Sequence, residues 1–267
     1  MERTTKVRPK KFLGQHFLHD QSIAQRIVGS LVVEDEKNNV LEIGPGMGVL
    51  TKFLMEVKGI QLKVIEIDRD SVAYLKIHYP ALDVIEGDVL KQDIERIFSE
   101  KFSIIGNFPY NISSQIFFRV LENRNAVEQV VCMLQKEVAD RIAAHSGNKT
   151  YGILSVLLQA YYDIDYLFKV SPGVFTPPPK VLSAVIRLRR NNVVSLPCDE
   201  TLFVQVVKQA FNTRRKTLRN SLKNLNLPAE ISALQIMDKR AEQLSVDEFT
   251  NLTLLIDRSR GAAIGRV

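Results

Sequence analysis

The stretch VLEIGPGMGVLTKFLMEV (residues 40–57) decides the fold class. A β-branched apolar run stops at a glycine-rich loop, and apolar residues then resume at helical spacing. A buried strand hands over to a covering helix in this way. Glycines at 44, 46 and 48 let the backbone approach a ligand closely and bring helix amides towards it. The dinucleotide fingerprint needs its third glycine one place later, where Val49 stands, so the loop is not a pyrophosphate clamp.

The same alternation runs on for about a hundred residues. Strands are predicted at LKVIEI (62–67), DVIEGD (83–88, a strand and its exit), FSIIGN (102–107) and QVVCML (129–134). Helices are predicted at 71–79, 93–100, 113–123 and 136–144, with another after Gly152. Strands alternating with helices argue for right-handed crossovers and a parallel sheet covered on both faces. DYLFKV (165–170) and SAVIRL (183–188) are expected to complete that sheet. The polar RRNNVVSLPCDE (189–200) reads as a linker. The remainder reads as helices: TLFVQVVKQAF, then TRRKTLRNSLKNL, then two shorter pieces. The expected organisation is an α/β domain over 1–190 and a small helical, basic domain over 191–267.

Of the 267 residues, 45% are hydrophobic and 25% charged, an ordinary globular balance. No apolar stretch approaches the roughly 18 residues of a membrane span. The start, MERTTKVRPKK, lacks the apolar segment of a secretory leader. Cys132 and Cys198 are far apart and Cys132 sits in an apolar run, so neither a disulfide framework nor a zinc site is expected. A cytoplasmic protein without a metal is the expectation. Residues 1–186 carry 22 basic and 22 acidic side chains, whereas residues 187–267 carry 14 and 8. The whole excess of +6 lies in the C-terminal part, and Arg3, Lys6, Arg8, Lys10 and Lys11 add a basic arm. A basic lobe and arm beside a neutral domain suit a polyanionic partner.

In open α/β sheets ligands bind at the carboxyl ends of the strands, and the unusual residues fall there. Glu66 ends the second strand, 22 residues past Gly44, where an acid suits ribose hydroxyls. Asp88 follows the third and can accept a hydrogen bond from an adenine amino group. Two acids and a loop without a phosphate clamp suit an adenosine-containing cofactor that lacks phosphates, of which S-adenosylmethionine is the common one. Asn107-Phe108-Pro109-Tyr110 stands at the fourth strand end. Such a group suits methyl transfer to a planar amine such as N6 of adenine. The Asn107 oxygen and a nearby backbone carbonyl can accept the N–H hydrogens, Pro109 stiffens the turn, and Tyr110 offers a stacking face. No strong general base is required. Phe175, in the proline-stiffened FTPPPK, is the candidate for a second aromatic wall around a flipped base.

On these residues the chain resembles the KsgA-type small-subunit rRNA adenine N6-dimethyltransferases. The likeness runs through KKFLGQHFLHD, EIGPGMGVLT, VIEIDRD, GD at 87–88, NFPYNISS, YGILSV, VFTPPPKVLSAVIRL and AFNTRRKTLRNSL, in family order. It implies a class I S-adenosylmethionine-dependent fold, a Rossmann-like doubly wound sheet, with a small helical C-terminal domain. It implies dimethylation of two adjacent adenosines in a loop near the 3′ end of small-subunit rRNA. The partner would be an assembling subunit met by a monomer, with no membrane involved. By position it implies cofactor contacts at His16, Leu18, Gly44, Glu66, Asp88 and Asn107. It implies catalytic and base-holding roles for Asn107, Pro109, Tyr110 and Phe175. The family usually has Asn at position 16 and Leu at position 108, where this chain has His16 and Phe108.

TRRKTLRNSLKN (213–224) holds Arg214, Arg215, Lys216, Arg219 and Lys223 and no acid. It reads as a phosphate-contacting surface with strongly salt-dependent RNA binding. Two other readings share these motifs: a large-subunit rRNA adenine methyltransferase, and a non-catalytic RNA-binding assembly factor on the same fold. FNTRRKTLRNSL favours the small-subunit type. A protein-glutamine methyltransferase, with an Asn-Pro-Pro-Tyr-like site, is disfavoured by the basic lobe and by Phe175.

Overall fold

The computed structural model describes residues 7–33 and 38–264, and the side chains up to 260. Arg3 and Lys6 of the basic arm lie outside the described residues. The chain divides into two compact units, one within Met1–Ala139 and Asp163–Arg190, the other within Asp140–Tyr162 and Asn191–Val267. The sequence reading kept all of 1–190 together. In the structure residues 140–162 group with the C-terminal helices, because the apolar face of Ile153–Gln159 is covered by them.

The strands are β1 (Phe17–Leu18), β2 (Asn38–Ile43), β3 (Ile60–Glu66), β4 (Asp83–Glu86), β5 (Phe102–Asn107), β6 (Val127–Gln135), β7 (Tyr162–Val170), β8 (Phe175–Thr176) and β9 (Ser183–Arg190). Seven form one sheet in the order β4-β3-β2-β5-β6-β9-β7. Pairings from β4 through β6 are parallel, and β9 runs antiparallel to β6. The sheet is therefore mixed at one side and doubly wound elsewhere. Strand order reverses between β2 and β5, and the crevice above that switch point is where such sheets bind ligands. Their central positions are buried on both faces: Val40, Leu41, Ile104, Ile105, Val130 and Val131 are at most 1% exposed.

In the first unit, α1 (Gln21–Val28) starts on an Asp20 cap that accepts from the Ile23 amide at 3.1 Å. α2 (Thr51–Leu54), α3 (Arg69–His78) and α4 (Ser113–Glu122) follow β2, β3 and β5. The helix expected over 48–57 is one α-turn flanked by turns, and the piece expected over 93–100 is a single 3-10 turn at Ile94–Arg96. β1 and β8 pair antiparallel, Phe17 opposite Thr176 and Leu18 opposite Phe175. This two-stranded ribbon is too short to show any alternation in sequence.

α5 (Lys136–Ala143) follows β6. In the second unit, α7 (Glu200–Asn212) packs on α6 (Ile153–Gln159), on α8 (Leu218–Ser221) and on α10 (Val246–Ile264); α9 (Ala229–Ser232) is a single turn. α7 is capped by Asp199 and buries Leu202, Phe203, Val206, Val207 and Ala210 along one stripe. Two expectations fail here. The basic run is a turn over 213–216, then the four-residue α8 and a 3-10 turn, not one helix. Thr217 is held by a β-bridge to Arg240. The final helix has 19 residues and is the longest among the described residues, not a short piece.

Candidate active site

Four neighbouring strands, β4, β3, β2 and β5, place their carboxyl ends along one edge of the sheet. Adjacent strands lie about 4.8 Å apart, so those four ends span roughly 15 Å. Asp88, Glu66, Gly44 and Asn107 stand at them in that order, and all four line one cleft. The cleft encloses about 920 Å³ of empty space, part of it open to solvent. His16, Pro109 and Tyr110 line it too.

The glycine loop fits a close-lying ligand. Gly44 has φ +67°, in the left-handed region, and a Cβ there would meet no protein atom within 4 Å. The backbone at this point is open towards the cleft. Glu66 is buried and doubly held: the Gly46 amide donates to Oε2 at 3.0 Å and the Asp68 amide to Oε1 at 2.9 Å. Burial raises its pKa, with the two amides pulling the other way. Each carboxylate oxygen retains a lone pair for a further donor such as a ribose hydroxyl. Asp88 is half-buried, and one oxygen accepts the Leu90 amide at 3.0 Å. Among the described residues no three His, Cys, Asp or Glu side chains are grouped to hold a metal ion.

Asn107 Nδ2 donates to the His16 carbonyl at 3.0 Å. Its Oδ1 has no partner among the described residues, so the acceptor end of the amide is free in the cleft. Phe108 is 1% exposed and packs edge-on against Phe117 at 5.9 Å between centroids. Its ring belongs to the core and leaves the backbone at the site. Tyr110 shares a 2.5 Å hydrogen bond with Ser183 Oγ. Burial raises the phenol's pKa, with the serine bond opposing.

Two expected residues fall elsewhere. Phe175 is 2% exposed in the apolar cluster with Leu18, Ile105 and Val185, and does not line the cleft. The β1–β8 pairing turns it inward, so it is no wall for a base in this structure. Leu18 likewise gives its side chain to that cluster and lines only a smaller pocket beside the glycine loop.

Other residues at the site escaped the sequence reading. Glu42, 1% exposed, borders the smaller pocket and accepts from Thr51 Oγ1 at 2.6 Å. Burial pushes its pKa up to about 8; the Thr51 bond opposes this and the Glu66 charge adds to it. Lys10 bonds Asp68, and pairs with Asp70 at 2.8 Å. Gln15 reaches the other Asp68 oxygen at 3.1 Å. Burial works to raise the Asp68 pKa, but these donors hold it below the usual range. They tie residues 10–15 to the turn after β3, and Leu13, Gly14 and Gln15 become one side of the cleft. Gly14, at φ +64°, is required there: a Cβ would lie 2.5 Å from Asn111 Oδ1. A 58-residue separation between Lys10 and Asp68 leaves no sequence signal.

In the second unit the five basic residues divide. Arg214 donates to the carbonyls of Tyr151, at 2.6 Å, and Lys149. Arg219 grips Asp238 at 2.7 Å and the Ser232 carbonyl. Arg215, Lys216 and Lys223 are exposed and make no side-chain ion pair among the described residues.

Strand order and a phosphate-free cradle with its two acids define a class I S-adenosylmethionine-dependent methyltransferase, with S-adenosylmethionine as methyl donor. The chain belongs to the ribosomal RNA adenine dimethylase family, whose profile matches residues 6–258. It is 59% identical over 253 residues to Ribosomal RNA small subunit methyltransferase A of Cytophaga hutchinsonii, covering 94% of this chain and 98% of that relative. The protein of the same description from Flavobacterium johnsoniae is 56% identical, covering 94% and 97%. Among solved structures, a dimethyladenosine transferase from Plasmodium falciparum superposes with a TM-score of 0.77 at 26% identity, covering 92% of this chain and 98% of its own. The 23S rRNA methyltransferase ErmE shares the fold, with a TM-score of 0.67 at 24% identity and coverage of 89% and 99%. The protein is an rRNA adenine methyltransferase. Among the described residues no helix is long and apolar enough to cross a membrane.

Proposed function

We propose that the protein transfers methyl groups to N6 of two adjacent adenosines in the 3′-terminal hairpin loop of small-subunit rRNA. It acts as a cytoplasmic monomer on the assembling subunit, with no membrane involved. One observation carries the reading: the free Asn107 Oδ1 stands in the same cleft, on the same sheet edge, as Gly44, Glu66 and Asp88. The names of the relatives at 56–59% identity direct it to the small subunit.

S-adenosylmethionine supplies an electrophilic methyl on a sulfonium. Asp88 would hold the adenine end, Glu66 the ribose hydroxyls, and the backbone at Gly44 the chain beyond. Their order along the edge runs from the outer strand to the strand beside Asn107. The target amine is a poor nucleophile because its lone pair is delocalised into the base. Asn107 Oδ1 accepts one N–H and the backbone after it can accept the other, which favours a pyramidal nitrogen with a directed lone pair. Pro109 keeps the turn stiff and donates no competing hydrogen. Tyr110, fixed by Ser183, gives the base a stacking face. Catalysis is positioning plus preorganised acceptors: the new N–C bond would form as the S–C bond breaks, the electron pair staying on sulfur as a neutral thioether, and the methylated ammonium would then lose its proton to water. Arg215, Lys216 and Lys223 contact RNA phosphates.

The test is incubation with S-adenosylmethionine and small subunits lacking the modification, then digestion and mass spectrometry. N6,N6-dimethyladenosine formed by the wild type and lost in Asn107→Ala is the expected result. Product on large subunits alone would overturn the substrate assignment.

A further inference from the structure

We propose that Tyr79 is a positioning residue for the cofactor loop: its ring and hydroxyl hold the turn at Gly48 in the shape the cofactor meets. This rests on the reading above of the glycine loop as part of the cofactor cradle. Tyr79 lines neither the cleft nor the smaller pocket beside the loop, so it acts through the loop's backbone. A Cβ at Gly48 would lie 2.7 Å from Tyr79 Cε2 and 3.1 Å from its hydroxyl oxygen. The hydroxyl donates to the Gly48 carbonyl at 3.3 Å, and the Lys52 amide donates to the same carbonyl at 3.1 Å. Both lone pairs of that carbonyl are thereby engaged. Gly48 also stands at φ +81°. It is glycine for two reasons: a left-handed backbone and an aromatic ring lying against it.

The loop needs such a hold. Gly46 and Gly48 are both left-handed, and glycine loses more freedom on ordering than any other residue. The helix that follows, α2, is a four-residue turn, too short to sustain itself. Glu66 fixes the loop by accepting the Gly46 amide, and Glu42 fixes its far end by accepting from Thr51 Oγ1. Between those two points Tyr79 bonds the backbone. Tyr79 is itself set in place. It caps the end of α3 at φ −132° and ψ 65°. Pro80 follows, and a proline disfavours helical backbone in the residue before it. The Tyr79 amide donates to the Leu75 carbonyl at 2.7 Å, and its carbonyl accepts the Leu82 amide at 2.9 Å. Burial raises the phenol's pKa, with Tyr74 and Glu42 adding to it, so the hydroxyl keeps its proton and remains a donor. A loop ordered before binding spares the cofactor the cost of ordering it, so the hold is read out as affinity.

The test measures S-adenosylmethionine affinity by calorimetry and hydrogen exchange of the Gly48 and Lys52 amides in the ligand-free protein. Methylation is followed over a range of cofactor concentrations. Tyr79→Phe keeps the ring and loses one hydrogen bond, and is expected to bind cofactor about 2- to 12-fold more weakly. Tyr79→Ala loses both contacts and should bind more weakly still, with faster exchange at both amides. The loss should fall on the half-saturating cofactor concentration and not on the rate at saturation. Gly48→Ala is strained by its φ in any background, but it meets the ring only where Tyr79 is present. It should therefore cost less affinity in the Tyr79→Ala protein than in wild type. Wild-type affinity in Tyr79→Phe would overturn the proposal, as would a matching loss of rate at saturation. So would a Gly48→Ala cost that is the same in both backgrounds. Glu66→Ala separates the two readings. If it weakens cofactor binding and the Tyr79 variants do not, this inference fails alone. If it binds cofactor as tightly as wild type, the cradle reading fails and this inference falls with it.

Discussion

The strand-edge cleft and the basic segment after α7 use polar side chains in opposite ways. In the cleft nearly every functional group is pinned: Glu66 by two amides, Asp88 by one, Asn107 by the His16 carbonyl, and Tyr110 by Ser183. In the basic segment the pinned residues, Arg214 and Arg219, serve the second unit's own structure, while Arg215, Lys216 and Lys223, which the proposed function assigns to RNA phosphates, are exposed and make no ion pair among the described residues. The difference follows from the tasks. Methyl transfer needs acceptors fixed before the reaction, since reorganisation would raise the barrier. Phosphate binding draws on counterion release, which tolerates mobile, solvated cations.

The sharpest way to break this contrast is Asn107→Ala. Removing one preorganised acceptor is expected to lower the methyl-transfer rate about 10²- to 10³-fold, read by single-turnover assay. Subunit binding should stay near wild type, because the side chain acts at the amine. Next in size is Glu66→Ala, which removes an expected ribose acceptor and leaves the Gly46 and Asp68 amides unpaired. Calorimetry should show cofactor affinity down by roughly 10- to 100-fold, at about 1–3 kcal/mol per unsatisfied group.

The basic segment gives a paired prediction. Replacing Arg215, Lys216 and Lys223 together by Ala should flatten the dependence of log affinity on log salt by about 2 to 3, near 0.7–0.9 per phosphate contact. Arg214→Ala should leave the salt slope nearly unchanged and lower the melting temperature, because it frees the Lys149 and Tyr151 carbonyls. A reversed pattern would remove the distinction between structural and phosphate-facing cations.

Glu42 sharpens the cleft side through pH. Its carboxyl holds its proton up to about pH 8, while an unfolded glutamate loses it near 4.5. Its contribution to stability is full below about pH 4.5 and is lost as pH rises through about 8, since the native state binds more protons across that window. Glu42→Gln keeps an acceptor for Thr51, and its melting temperature should fall less than wild type's between pH 5 and 8. The smallest effect is expected for Lys10→Met, which releases Asp68 and Asp70. Lys10 is partly exposed, and the buried Asp68 keeps its bonds from Gln15 and the Asp70 amide, so cofactor affinity is expected to change by only a few-fold, and less at high salt.

Much of the cleft was legible because it is local in sequence. Gly44, Glu66, Asp88 and Asn107 each end an apolar run, and strand ends in such a sheet share an edge. Short ribbons and long-range ties were not legible. Phe175 looked like an exposed wall because its neighbours are prolines, yet a two-residue pairing with Leu18 turns it inward. The His16–Tyr110 stack joins residues 94 positions apart, and neither residue marks the other. Composition showed five cations in 213–224 but not that Asp238 and two carbonyls at 149 and 151 engage two of them. The segment also reads as helical, while the bridge of Thr217 to Arg240 holds it as turns.

The most direct test is the single-turnover methylation rate at saturating small subunits, compared between Asn107→Ala and the Arg215, Lys216, Lys223 triple alanine protein. Separate chemistry and capture predict a rate lost about 10²-fold or more in the first and close to wild type in the second. Equal losses in both at saturation would contradict it, because the basic segment would then take part in the transfer itself.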